Sequence, residues 1–221
     1  MSKITRSQDH KIISDNSCDL MILSSYDLIS FKDVSLNFGR RELFKHVTLE
    51  LRGGQIIGIT GANGSGKSTF LKLAGKIIRP DSGNVTLPAE KKIAAVSPEM
   101  KIYDGLTATE NLKFFAQLRG KNLTTEKISE LCERVGLDVE TFDTRTENFS
   151  TGMRQRLKFA ILLGVDADIW LLDEPTANLD DDGREKFFAA IQAAKSDKII
   201  LLATNDATEV KLCDEVIQLP L

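Results

Sequence analysis

The hydrophobic positions of this chain change period several times, and each change predicts an element. From Asp33 onward Val34, Leu36 and Phe38 alternate with Ser35 and Asn37, and after Gly39-Arg40-Arg41-Glu42 a second alternation runs through Val47, Leu49 and Leu51. A period of two predicts two half-buried strands joined by a turn. Gly53-Gly54 then leads into Ile56-Ile57-Gly58-Ile59, an apolar run expected as a strand buried on both faces. An amphipathic segment spans residues 70–78. Thr107-Ala108-Thr109-Glu110 has the form of a capping box, and Leu112, Phe115 and Leu118 continue at helical spacing. Ile128, Leu131 and Val135 predict a second helix closed by Gly136, and a third is expected from near Gly152 through Leu163. Strand and helix then alternate: a strand over 169–172, a helix from about 182 to 194, a strand over 199–203. The pattern predicts an α/β fold whose βαβ core carries a helical insertion at about 105–165. Residues 1 to about 26 are polar and aperiodic, predicting a poorly ordered extension ahead of a domain over 27–221.

The junction after the buried strand carries the first chemistry. Gly61-Ala62-Asn63-Gly64-Ser65-Gly66-Lys67-Ser68-Thr69 satisfies G-x-x-x-x-G-K-[ST] between a strand and a helix. Glycines let the backbone wrap phosphates with its N–H groups, and the helix N-terminus adds the positive end of its dipole. Lys67 is expected to neutralise the β/γ-phosphates, and Ser68 to offer its hydroxyl to Mg²⁺. Such a spacing arises by accident in about 1% of chains of this length at average glycine usage, and its strand–loop–helix context lowers that further. The fold class is therefore a P-loop nucleotidase core: a mainly parallel sheet with flanking helices, an antiparallel β subdomain and an α-helical insertion.

A second signal lies at Ile169-Trp170-Leu171-Leu172-Asp173-Glu174-Pro175, an apolar strand ending in two carboxylates. Taken alone it also fits a strand capped by an acidic turn. Beside a P-loop strand it would place Asp173 to hold Mg²⁺ and Glu174 to orient and polarise an attacking water.

Composition adds exclusions. The 221 residues suffice for one large α/β domain, and 29 Lys+Arg against 32 Asp+Glu give a formal net charge of −3, so no polyanion-binding surface and no nucleic acid partner is expected. Cys18, Cys132 and Cys213 are scattered and odd in number, as in reduced cytosolic proteins. No apolar run approaches the roughly 20 residues of a membrane span, and the polar stretch at 11–16 does not fit a signal peptide. His10 and His46 lie outside the motifs and are expected on the surface.

Phe149-Ser150-Thr151-Gly152-Met153-Arg154-Gln155-Arg156 resembles the L-S-G-G-Q-x-Q-R signature of ATP-binding-cassette proteins, and Asn178-Leu179-Asp180 resembles their D-loop. The resemblance covers about 29–219 and is specific, because other P-loop families lack the signature. It implies ATP and Mg²⁺ as cofactors and a head-to-tail homodimer in which Ser150 and the Gly152 N–H bind the γ-phosphate of ATP held by the other copy. It also places Phe38 where the family stacks an aromatic on adenine, although alternation fits an ordinary core position equally well. Three departures stand out. Thr151 and Met153 replace a Gly and a Gln of the signature. Glu99, in Val96-Ser97-Pro98-Glu99, takes the place of the Q-loop glutamine and as a carboxylate could ligate Mg²⁺. Asn205, in Ala203-Thr204-Asn205-Asp206, replaces the switch histidine, and its amide can donate a hydrogen bond to a γ-phosphate but carries no charge. Slow hydrolysis is the expectation.

The resemblance further implies a transporter's ATP-binding subunit, at the inner face of the cell membrane through a separate permease docked around 99–119. The segments 106–112 and 150–153 look like the exporter branch, haem exporters included. Two other readings stay open: a soluble cassette ATPase that serves no permease, and an ATP-clamping switch that barely hydrolyses.

Overall fold

The computed structural model describes residues 28–39 and 41–221. The expected extension, His10 and Cys18 lie outside them. In chain order the elements are β1 (Leu28–Phe38), β2 (Arg41–Arg52), β3 (Gln55–Thr60), α1 (Lys67–Ala74), β4 (Ser82–Thr86), β5 (Ile93–Val96), α2 (Ala108–Gln117), α3 (Thr125–Arg134), α4 (Thr151–Val165), β6 (Ile169–Asp173), α5 (Asp181–Ala194), β7 (Ile199–Ala203), α6 (Ala207–Val210) and β8 (Glu215–Gln218), with short 3-10 turns between some of them.

Two sheets result, an antiparallel one in the order β2-β1-β4 and a parallel five-stranded one in the order β5-β6-β7-β3-β8. The central parallel strands alternate between two cores because successive side chains leave a strand on opposite faces. Ile56, Trp170, Leu172, Ile200 and Leu202 join a core with the helices of the insertion. Ile57, Ile59, Ile169, Leu171, Ile199 and Leu201 join a second core with α1 and the antiparallel sheet. Phe70 of α1 stacks on Phe31 of β1 at 5.0 Å and meets Phe44 of β2 edge-on at 6.0 Å, which fixes α1 on that sheet.

Several expectations need correction. The strand ending in Asp173 is not the neighbour of β3, because β7 lies between them. The segment 70–78 is helical only to Ala74; Gly75 caps it, Lys76 has φ 52° and Ile77 is exposed. Leu118 follows the end of α2 and faces solvent, while Leu112 is buried. The predicted capping box does form: Thr107 accepts from the Glu110 N–H, and Glu110 accepts from the Thr107 N–H. Gly136 follows α3 with φ 69°, the left-handed turn that glycine permits after a helix.

Candidate nucleotide site

The loop from Gly61 to Gly66 joins β3 to α1 and folds back on itself through Ser65 N–H to the Ala62 carbonyl at 3.0 Å. Gly61 has φ 146°, and a Cβ there would lie 2.7 Å from Ser65 Oγ and 2.8 Å from the Leu219 carbonyl, so only glycine fits. The N-cap of α1 is Gly66, which offers no side chain to the first N–H groups of the helix. Among the described residues Ser65 Oγ is buried without a hydrogen-bond partner. Orphaned donors around a glycine-lined cradle fit a phosphate chain. Lys67, mostly buried, points Nζ at the Gly61 and Ala62 carbonyls at 2.9 and 3.4 Å.

Asp173 ends β6, is 9% exposed and receives a hydrogen bond from Ser68. Burial raises its carboxyl above the ordinary range and neighbouring Glu174 adds to this, against the pull of Ser68, Lys67 and Lys72. Ser68 and Asp173 thus form the pair where a phosphate-bound Mg²⁺ fits. Among the described residues no group of three or more His, Cys, Asp and Glu is gathered to hold a metal. Glu99 is exposed and its carboxylate pairs with Lys72 Nζ at 2.8 Å. Glu174 adopts φ 47°, a left-handed conformation that non-glycine residues rarely hold, pinned by its N–H on the Ala203 carbonyl at 2.9 Å.

β7 delivers the third component. Asn205, just past its end, hydrogen-bonds the Asn63 side chain at 2.9 Å. With its amide turned over, Asn205 donates to the Gly61 carbonyl and accepts from Lys67 Nζ at 3.0 Å. Phe38 is 76% exposed, which removes the core-face reading. It joins Asn63, Lys67, Ser68, Thr69 and Glu174 around a cleft of about 420 Å³. A roomier cleft of about 860 Å³ between β2 and β8 holds none of these groups.

Ser150 and Gly152 are placed apart from this cleft, at the start of α4. Ser150 caps the helix by accepting the Met153 N–H at 3.2 Å, which leaves its hydroxyl proton free to donate. A Cβ on Gly152 would sit 3.0 Å from the Asn178 carbonyl.

The family model described as ABC transporter matches residues 44–177. This chain belongs to the ABC transporter family. NatA of Bacillus subtilis (strain 168), an ABC transporter ATP-binding protein, is 35% identical over 211 residues, 87% of this chain and 85% of NatA. The uncharacterized ABC transporter ATP-binding protein YdbJ of the same organism is 32% identical over 203 residues; that is 86% of this chain but 65% of YdbJ, so the chain spans less than two thirds of that relative. The dimeric structure of MJ0796, described as a bacterial ABC transporter cassette, superposes with TM-score 0.77 at 24% identity, covering 86% of this chain and 94% of that one. A post-hydrolysis state of MJ0796 bound to ADP and Pi gives 0.75 at 23%, over 86% and 94%. The fold is that of an ABC ATPase cassette.

The ABC motifs are joined by side chains that motif reading passes over. Gln155 donates to the Pro175 carbonyl at 2.6 Å, so the signature helix touches the turn that follows Glu174. From the other side Glu209 of α6, 1% exposed, accepts from the Thr176 N–H at 3.2 Å and the Thr176 hydroxyl at 2.5 Å. Lys158 reaches the Ser97 carbonyl beside Glu99 at 3.1 Å. The sequence does not signal these contacts, because each joins residues far apart in the chain that only packing brings together.

Proposed function

We propose that this chain binds and hydrolyses ATP as one half of a head-to-tail homodimer, and that the pair drives a separate membrane permease of the exporter type. The observation that carries the reading is the convergence of Lys67, the Ser68–Asp173 pair, Glu174 and Asn205 at the carboxyl ends of β3, β6 and β7. The cradle from Gly61 to Thr69 holds the phosphates, Phe38 stacks on the adenine, and Ser68 and Asp173 hold Mg²⁺. Glu99 joins the metal only by releasing Lys72. Glu174 polarises the attacking water, and Asn205 donates to the γ-phosphate as a neutral amide. Ser150 and the Gly152 N–H complete the site of the second copy. The dimeric cassette and its ADP-and-Pi state among the structural relatives support the pairing and the hydrolysis. Among the described residues no helix is long and apolar enough to cross a membrane; in this reading the permease supplies the membrane-spanning part.

Two substitutions test the chemistry. Lys67→Ala is expected to abolish tight ATP binding, whereas Glu174→Gln keeps binding and lowers turnover by on the order of 100-fold or more. Equilibrium titration and phosphate release measure the two effects. Undiminished turnover in Glu174→Gln overturns the role given to that carboxylate. Co-purification with a membrane-spanning protein from solubilised membranes is the expected mark of the permease partnership.

A further inference from the structure

Helix α4 sends four polar side chains in four directions. Arg154 pairs with Asp104 at 2.5 Å, Gln155 holds the Pro175 carbonyl, Lys158 holds the Ser97 carbonyl, and Arg156 holds two segments at once. Arg156 is 9% exposed. Its Nη1 donates to the Val135 and Gly136 carbonyls at 2.8 and 2.9 Å and to Asp182 at 3.1 Å, while Nη2 pairs with Asp180. The carbonyls close the C-terminus of α3, where a cation is favoured, and the carboxylates open α5. A planar fork can address both groups together, which an ammonium cannot.

The seat is cut for this side chain. A Cβ on Gly136 would lie 1.9 Å from Nη1, and one on Gly183 3.1 Å from Nη2. Gly183 lies in the first turn of α5, and its lack of a side chain leaves room for the guanidinium. The backbone of the 178–180 segment also lies against Gly152, at the N-terminus of the same helix. Asp180 accepts the Gly183 N–H at 2.9 Å and remains largely exposed.

We propose that Arg156 is a positioning residue that joins the 178–180 segment to the signature helix, so that both meet the nucleotide site of a second copy as one rigid piece. The inference rests on the head-to-tail reading above. Neither Arg156 nor Asp180 lines the cleft of its own chain, so each acts on assembly and not on single-chain nucleotide binding.

The test is a double-mutant cycle built on Glu174→Gln. Arg156→Lys and Asp180→Asn are each expected to raise the dissociation constant of the Mg-ATP-dependent dimer about tenfold, and together also about tenfold instead of a hundredfold. Affinity of the single chain for a fluorescent ATP analogue stays within twofold. Asparagine keeps a capping side chain for α5, so Asp180→Asn preserves the fold. Asp182→Asn loosens the same guanidinium from outside the 178–180 segment and weakens the dimer in the same direction. It decides the matter if Arg156→Lys is too unstable to assay. Sedimentation or light scattering reads all arms. Parental dimerisation in the variants, or effects of Arg156→Lys and Asp180→Asn that simply multiply, overturns the proposal alone. No Mg-ATP-dependent dimer in Glu174→Gln itself overturns the head-to-tail reading, and the proposal with it.

Discussion

Asp173 sets folding against chemistry. Its carboxyl is raised above the ordinary range chiefly by burial, so it ionises less readily in the fold than in the unfolded chain. A group of that sign costs stability at every pH above its unfolded value, and the cost fades only as pH falls through that range. Asp173→Asn keeps an acceptor for Ser68 and removes the buried charge. At pH 7 it is expected to raise the thermal midpoint by about 2–4 °C, the effect of ~1 kcal/mol in a domain of this size. Mg-ATP turnover falls by on the order of 100-fold. Calorimetry across pH 4 to 8 together with phosphate release checks both halves, and a midpoint that drops at neutral pH contradicts the burial argument.

At the level of elements, two glycines with the same backbone separate conformational strain from crowding. Gly120 and Gly136 both have φ 69°; a Cβ on Gly120 meets nothing within 4 Å, whereas one on Gly136 meets Arg156. Gly120→Ala is expected to cost about 1 kcal/mol, and Gly136→Ala about 2–3 kcal/mol, because it must also displace the buried Arg156 guanidinium. Urea midpoints at constant slope measure the difference, and equal costs would show that the Arg156 seat yields easily. The same contrast explains what the sequence disclosed. The strand–loop–helix around Lys67 and the capping box at Thr107 are local, so spacing alone reveals them. β4 is hidden because Val85 is the only buried residue among its five, and it forms as the outer partner of β1. Strand order is not encoded in the apolar pattern, because β6 and β7 are both buried throughout, and apolar strands of equal length carry no label of their neighbours. In the site, the cradle and the two carboxylates were legible; the setting of Arg156 was not, since its partners at 135, 136, 180 and 182 are brought together only by packing.

Across the whole molecule, ion pairs fasten helix ends and turns to one another. Asp206 pairs with Arg184, Asp166 with Lys121, and Asp214 with Lys195. The carboxyls of Asp206 and Asp166 lie below the ordinary range chiefly through those pairings. Burial pushes Asp214 up, but the Ile56 N–H and Lys195 outweigh it and the net is downward. A depressed carboxyl adds stability above its unfolded pKa of about 3.9 and loses it as pH falls through the folded value. The thermal midpoint is therefore expected to hold level from about pH 5.5 to 8 and to fall below about pH 4, as calorimetry can show. A step between pH 5.5 and 7 would point to a group outside this set.

The order β5-β6-β7-β3-β8 has a consequence for how the chain is made. β3, which leads into the phosphate loop, pairs on both sides with strands from the far end of the chain, Gln55 with Ile199 and Ile57 with Glu215. Translation delivers residues 61–69 well before the strands that hold them in place. A nascent chain still on the ribosome therefore carries every residue of the nucleotide loop without its frame, and exposes Ile56, Ile57 and Ile59 to whatever else is sticky nearby. Shielding that one short strand until β7 and β8 have been made is the task this topology hands to the cell.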